Sequence, residues 1–353
     1  MIPEAKPRLV PSAAGGLRIG ISYGDTLAGL SPAQLARTLD DAVTLGVGWI
    51  RVDLSWADVQ GRSPSSDEWG AIDRIATAAQ ERNLDVVAIL AYTPAWARPT
   101  GCSSEKCAPA DPASFAAFAS DAVRRYAPLG VRTWEVWNEP NLTGFWKPQP
   151  SVPDYLRLLK ATVPAIRAVD PGATVIAGSL AAGRMVNGDV TPFDYLNALG
   201  AAGGLGLVDA VGYHPYSFPL PPLDTQAPNA WAGIATTQPS LHGVLSAQGF
   251  GDMKIWVTEC GAPTGGPGDR STTLDYTRNP APDHVSEDLQ ALIAMGSLRF
   301  AKTSTAVGGL FWYSYKDLGT NRSDRENFFG LRRFDDSPKP SYWSFKQAVA
   351  ASR

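Results

Sequence analysis

Residues 17–54 read LRIGISYGDTLAGLSPAQLARTLDDAVTLGVGWIRVDL, and in that stretch two short apolar runs flank one amphipathic segment. The runs at 17–23 and 48–54 have the length and apolar content of buried strands. Between them Ser31 is placed to cap a helix and Pro32 takes the first helical position, where a missing N–H costs nothing. Leu35, Leu39 and Val43 then recur four apart on one expected helix face. The same alternation continues along the chain. Further strands are expected at 85–91, 132–138, 173–179, 207–213, 253–259 and 308–314. Further helices are expected at 67–82, 112–127, 151–169, 192–202, 237–248, 284–303 and 338–351, punctuated by Pro171-Gly172 and Asp111-Pro112. Eight such units with no break in composition predict an α/β chain folded as one closed (β/α)8 TIM barrel over 17–353, preceded by an N-terminal extension at 1–16. An open doubly wound sheet is the alternative. Against it, no Gly-x-Gly-x-x-Gly follows the first strand, and the Gly/Pro-rich stretch Gly261 to Gly268 lacks the lysine of a phosphate loop.

Composition limits the partners. The 353 residues are 44% hydrophobic and 18% charged, enough apolar surface for a large core and too little charge for disorder. Net charge is −3 with no basic block, which disfavours nucleic acid and anionic membrane surfaces and suits a neutral ligand. No apolar run approaches the ~18 residues of a membrane span, and Met1 to Gly16 has neither the basic nor the apolar part of an export signal. The 11 Trp and 11 Tyr exceed what core filling alone requires. Cys102 and Cys107 share a short polar loop and are expected to form a disulfide, worth on the order of 2 kcal/mol by loop closure. Such a bond points to a secreted or cell-envelope protein, whereas two free thiols would suit a cytoplasmic one. A monomer is expected.

In a barrel of this kind chemistry gathers where strands end. Strand four reads Arg132-Thr-Trp-Glu-Val-Trp-Asn-Glu-Pro-Asn141, so alternation gives Glu135, Trp137 and Glu139 one orientation and puts Glu139 at the lip. Glu135, deeper in, is expected to be a buried charge paired with an arginine. Strand seven, Lys254-Ile-Trp-Val-Thr-Glu259, also ends on glutamate, from across the ring. Two facing carboxylates are what glycosidic cleavage requires, one as acid and one to attack the sugar or activate water. Tyr92, Trp96, Phe145 and Trp146 follow strands three and four; each by itself is open between a sugar platform and a loop anchor, but two or three together are expected to line subsites, with Tyr92, Trp96 and Trp146 the candidate substrate-binding rings. Ser217 to Trp231 and Gly261 to Asp283 are expected to wall the cleft. The histidines, His214, His242 and His284, have no ligand spacing, so neither metal nor other cofactor is expected. The acceptor triplets at Asn141 and Asn321 are read as chance.

Trp137-Asn-Glu-Pro140 on strand four with a glutamate closing strand seven resembles the retaining glycoside hydrolases of clan A, most of all families 39 and 5. The resemblance runs over nearly the whole chain. It implies Glu139 as acid/base, Glu259 as nucleophile and Asn138 as a hydrogen-bond partner of the sugar 2-hydroxyl. It implies that Arg51 keeps the nucleophile ionised, that His214 and Tyr216 form the strand-six pair, and that the Trp312 indole floors the cleavage subsite. The implied activity is double-displacement hydrolysis of an oligo- or polysaccharide, β-linked and cut in endo mode. A carbohydrate-binding barrel without catalysis and a transglycosylase are the alternatives. Chemically, the acid needs a raised pKa and the nucleophile a nearby guanidinium, with the carboxyls about 5 to 5.5 Å apart.

Overall fold

The computed structural model describes residues 16–183, 185–223, 229–272 and 282–351. The expected extension at 1–16 lies outside the described residues, except for Gly16. Eight parallel strands close into a barrel in chain order: β1 Arg18–Gly24, β2 Trp49–Ser55, β3 Asp85–Ala91, β4 Thr133–Asn138, β5 Thr174–Ala181, β6 Ala210–His214, β7 Lys254–Cys260 and β8 Val307–Tyr313. The helices that follow them are α1 Pro32–Leu45, α2 Gly70–Glu81, α3 Pro112–Tyr126, α4 Val152–Val169, α5 Pro192–Ala201, α6 Leu241–Ala247, α7 Glu287–Thr303 and α8 Pro340–Ala350. Short helices at Trp56–Val59 and Ala232–Ala235 and a two-stranded ribbon, Arg270–Ser271 with His284–Val285, decorate the loops.

Local chemistry explains the boundaries. Ser31 accepts from the Gln34 amide while the Gln34 side chain reaches back to the Ser31 N–H, and left-handed Gly46 ends α1 at φ 87°. One expectation fails there. Val43 is 47% exposed, and Ala42 and Leu45 join Leu35 and Leu39 in the core. Spacing of four drifts around a helix of 3.6 residues per turn, so the third position leaves the buried stripe.

Two separate apolar clusters hold the barrel. One fills the shell between strands and helices; the other, Val87, Ile176, Ala210, Trp256 and Phe311, plugs the interior, with Phe311 stacked on Trp256. Above this plug the interior turns polar. β7 carries a bulge opposite β8, where Leu310 pairs with Val257 but Trp312 pairs with Cys260. The extra residue allows Thr258 and Glu259, adjacent in sequence, both to face inward.

Candidate active site

Arg51, buried at the centre of the upper barrel, organises the site. Its Nε and Nη2 donate to Glu135 at 2.7 and 3.0 Å, its Nη1 to Glu259 at 2.5 Å and to Ser22 at 3.1 Å, and its Nη2 also to Asn138 Oδ1 at 2.9 Å. One guanidinium on β2 thus meets side chains from β1, β4 and β7, a fork geometry that lysine could not supply. Glu135 is fully buried and accepts from Arg51 on both oxygens, as a structural charge should.

Glu259 accepts from the Tyr216 hydroxyl at 2.9 Å on its other oxygen. Burial by itself would raise the Glu259 carboxyl; the His214 ring, Arg51 and the Tyr216 hydroxyl outweigh it and hold it below the ordinary glutamate range. Burial and the Glu259 charge push the Tyr216 hydroxyl well up, so it stays a donor. Glu139 is 8% exposed and meets His214 Nδ1 at 2.7 Å. His214 Nδ1 also lies 3.7 Å from Glu259 Oε2, and one oxygen of each glutamate and Nδ1 all fall within 4.8 Å of one another. Histidine spacing in sequence does not reveal this cluster, because the fold closes separations of 75 residues. A cation is disfavoured there by the Arg51 guanidinium already paired with Glu259.

The end of β4 is bent to aim these groups. Trp137 and Glu139 have left-handed backbones at φ 71° and 47°, conformations costing on the order of 1–3 kcal/mol each in non-glycine residues. The Glu139 amide donates to Ser179 O at 2.9 Å, and Asn141 clamps the turn by bonding Ala181 and Val190. Plain alternation therefore breaks: Glu135 and Glu139 face the interior, whereas the Trp137 ring packs on Phe115, Tyr92 and Trp146.

No protein-family model matches the chain. Over 70 residues, 18% of the chain, it is 41% identical to a beta-xylosidase of Geobacillus stearothermophilus, covering 14% of that protein. A family 39 glycoside hydrolase from Bacteroides cellulosilyticus WH2 superposes with a TM-score of 0.69 at 25% identity, over 95% of this chain and 64% of that one. The chain has the barrel of the clan A glycoside hydrolases. The GH5_18 structure from Streptomyces cattleya in complex with GlcNAc matches its fold at 0.66 and 18% identity, over 97% of this chain and 81% of that one. Xylanase 10B of Thermotoga petrophila RKU-1, in complex with xylobiose, matches it at 0.62 and 16% identity, over 95% and 94%. The chain spans less than two thirds of the family 39 chain and a small part of the beta-xylosidase.

In this clan A barrel the cleft is a cavity of about 1510 Å³ whose lining includes Asp53, Tyr92, Asn138, Glu139, Phe145, Tyr216, Glu259 and Tyr313. Three sequence expectations need correction. Trp312 is fully buried and packs on Phe345 of α8; Phe311 and Tyr313 face inward, so alternation turns Trp312 outward and gives the cleft Tyr313 instead. Trp146 is 1% exposed between Trp137 and Tyr155. Trp96 lies edge-on to Trp56 and donates to Gln60 O at 2.6 Å, an anchor away from the cleft. Tyr92 and Phe145 do line it, and the Lys106 ammonium sits 3.0 Å above the Tyr92 ring. Lys106 lies within the loop that the Cys102–Cys107 disulfide closes. Ser217, Phe218, Leu220, Asn229 and Ala230 contribute the wall expected after β6, and Pro282 part of that after β7; residues 224–228 and 273–281 lie outside the described residues.

Sequence reasoning missed Asp53, which sits two residues beyond Arg51 on the same strand face and lines the cleft. Burial, and the nearby charges of Glu259 and Asp25 against Arg51, bring its carboxyl up to about 7. The i, i+2 relation to Arg51 was the signal. Tyr313 could have been found by fixing the β8 register from its apolar plug residue.

Proposed function

We propose that the protein is a retaining glycoside hydrolase that cleaves a β-linked oligo- or polysaccharide in endo mode. The observation that carries this reading is the meeting of Glu139 and Glu259, with an oxygen of each within 4.8 Å. That lies near the roughly 5 to 5.5 Å of retaining enzymes and below the roughly 6.5 Å that leaves room for water in inverting ones. In the first step Glu139 gives its proton to the glycosidic oxygen, which keeps the electron pair of the breaking C1–O bond. Glu259, charged and oriented by Arg51 and Tyr216, forms the new bond to C1. In the second, water attacks C1, its proton passes to Glu139, and the bonding pair returns to Glu259.

Asn138 spends its carbonyl oxygen on Arg51, which turns its amide N–H groups to the sugar. Asp53 and Tyr92 offer an acceptor and a donor beside it. The cavity exceeds the roughly 300–1,000 Å³ of single small-ligand sites, in keeping with several sugar units. Export follows from the disulfide in the same reading.

A panel of aryl β-glycosides and polysaccharides, followed by mass spectrometry after treatment with 2-deoxy-2-fluoro glycosides, tests the proposal. Label is expected on Glu259. Glu259→Gln abolishes turnover, whereas Glu139→Ala spares aryl glycosides whose leaving group needs no acid. Equal loss in both variants contradicts the assignment, and no label or turnover across the panel leaves a sugar-binding barrel.

A further inference from the structure

Behind the carboxylates runs an unbroken chain of polar groups from four strands. Glu135 on β4 accepts from Ser179 Oγ on β5 at 2.5 Å; Ser179 Oγ meets Thr258 Oγ1 on β7; Thr258 Oγ1 lies 3.1 Å from His214 Nε2 on β6; and His214 Nδ1 lies 2.7 Å from Glu139. All four linking side chains are fully buried, so water cannot supply missing partners. The chain has a direction. Both oxygens of Glu135 already accept N–H groups, from Arg51 and from the Ser179 amide, which leaves this end able only to accept. Ser179 therefore spends its single hydroxyl proton on Glu135. Thr258 in turn must donate to Ser179, and only its lone pairs remain for His214.

We infer that Ser179 and Thr258 are positioning residues that hold the His214 proton on Nε2, so that Nδ1 and Glu139 share one proton. This rests on the hydrolase reading for its consequence, not for its geometry. The shared proton lies between Glu139 and Nδ1: on Nδ1 it makes the ring the positive charge that helps keep Glu259 ionised, and on the Glu139 oxygen it is the proton that the leaving sugar takes. Once that proton has left with the departing sugar, the carboxylate faces a lone pair 2.7 Å away, and the repulsion drives it to take the proton of the incoming water. One tautomer thus favours both halves of the reaction. Gly212 makes the crossing possible, because a Cβ there would overlap Ser179 Oγ. The other ionisable groups around the pair are Glu259 with Arg51 and Tyr216, Tyr92 after β3, and Glu326 beyond β8.

Histidine-selective ¹⁵N labelling reads the tautomer directly in the full chain, with the signal assigned through His214→Gln. A protonated Nε2 is expected; a protonated Nδ1 with a bare Nε2 overturns the inference whether or not any glycoside is hydrolysed. Thr258→Val frees the ring to place its proton on Nδ1, where it would stabilise the Glu139 carboxylate. The alkaline limb of kcat/KM then moves to lower pH, with about a tenfold loss at pH 8 on substrates that need acid assistance and little on activated aryl glycosides. Thr258→Ser restores tautomer and profile. A uniform loss at every pH and for every leaving group, or an unshifted profile in a folded Thr258→Val protein, refutes it. Absence of turnover in the unaltered protein would instead remove the hydrolase reading and leave the tautomer to be decided by the spectrum.

Discussion

The two halves of the barrel interior obey opposite rules. The lower half, Trp256, Phe311, Val87, Ile176 and Ala210, is apolar and close-packed, and its job ends with packing. The upper half places Arg51, Glu135, Ser179, His214 and Thr258 in equal burial, with each polar atom assigned to a named partner. Burial in the first case is a source of stability. In the second it is a cost borne for orientation, and removing one member strands the others.

Substitutions can separate the halves. Arg51→Met leaves Glu135 and Glu259 buried without a counter-ion, and should cost about 3–5 kcal/mol of stability along with all turnover. Chemical denaturation together with activity checks this; a variant that keeps its turnover would end the assignment of Arg51 to the site. Phe311→Ala opens a cavity in the plug and should cost about 3–5 kcal/mol while the folded fraction keeps its kcat. A matching fall in kcat per folded molecule would mean that the two halves are coupled. At Asp53 the effect is expected to depend on pH. With a folded value about 7 against an ordinary 3.8, the native state binds this proton more readily than the unfolded chain. Asp53 therefore costs stability as pH rises from about 4 to about 7, and the cost is complete above that. Asp53→Asn should raise the denaturation midpoint at pH 8, leave it nearly unchanged at pH 4, and weaken substrate binding. An equal shift at both pH values would show that the carboxylate's charge is not the cause.

The same contrast explains what could be read from sequence. The strands stood out because a buried parallel strand is a run of apolar residues between turn signals, as in Asp85–Ala91. Arg51, Glu139 and Glu259 stood out because charged residues are rare within or just after the apolar run of a buried strand. Ser179 and Thr258 did not, since a hydroxyl inside a strand looks the same whether it orients a neighbouring ring or fills space. Trp312 misled because aromatic identity was legible while inward or outward direction depended on the register of one residue. Trp96 and Trp146 misled because loop rings fold back as readily as they reach out.

The reach of Arg51 also bears on the order of assembly. Its contact with Ser22 spans 29 residues, that with Glu135 spans 84, and that with Glu259 spans 208. An N-terminal half comprising β1 to β4 can neutralise the guanidinium before β7 exists to meet it, whereas the carboxylate of Glu259 finds its counter-ion only when the ring shuts. Loop-closure entropy places that contact late. Appearance of the Glu259 pair is thus a chemical marker for the moment at which an open crescent of strands becomes a circle.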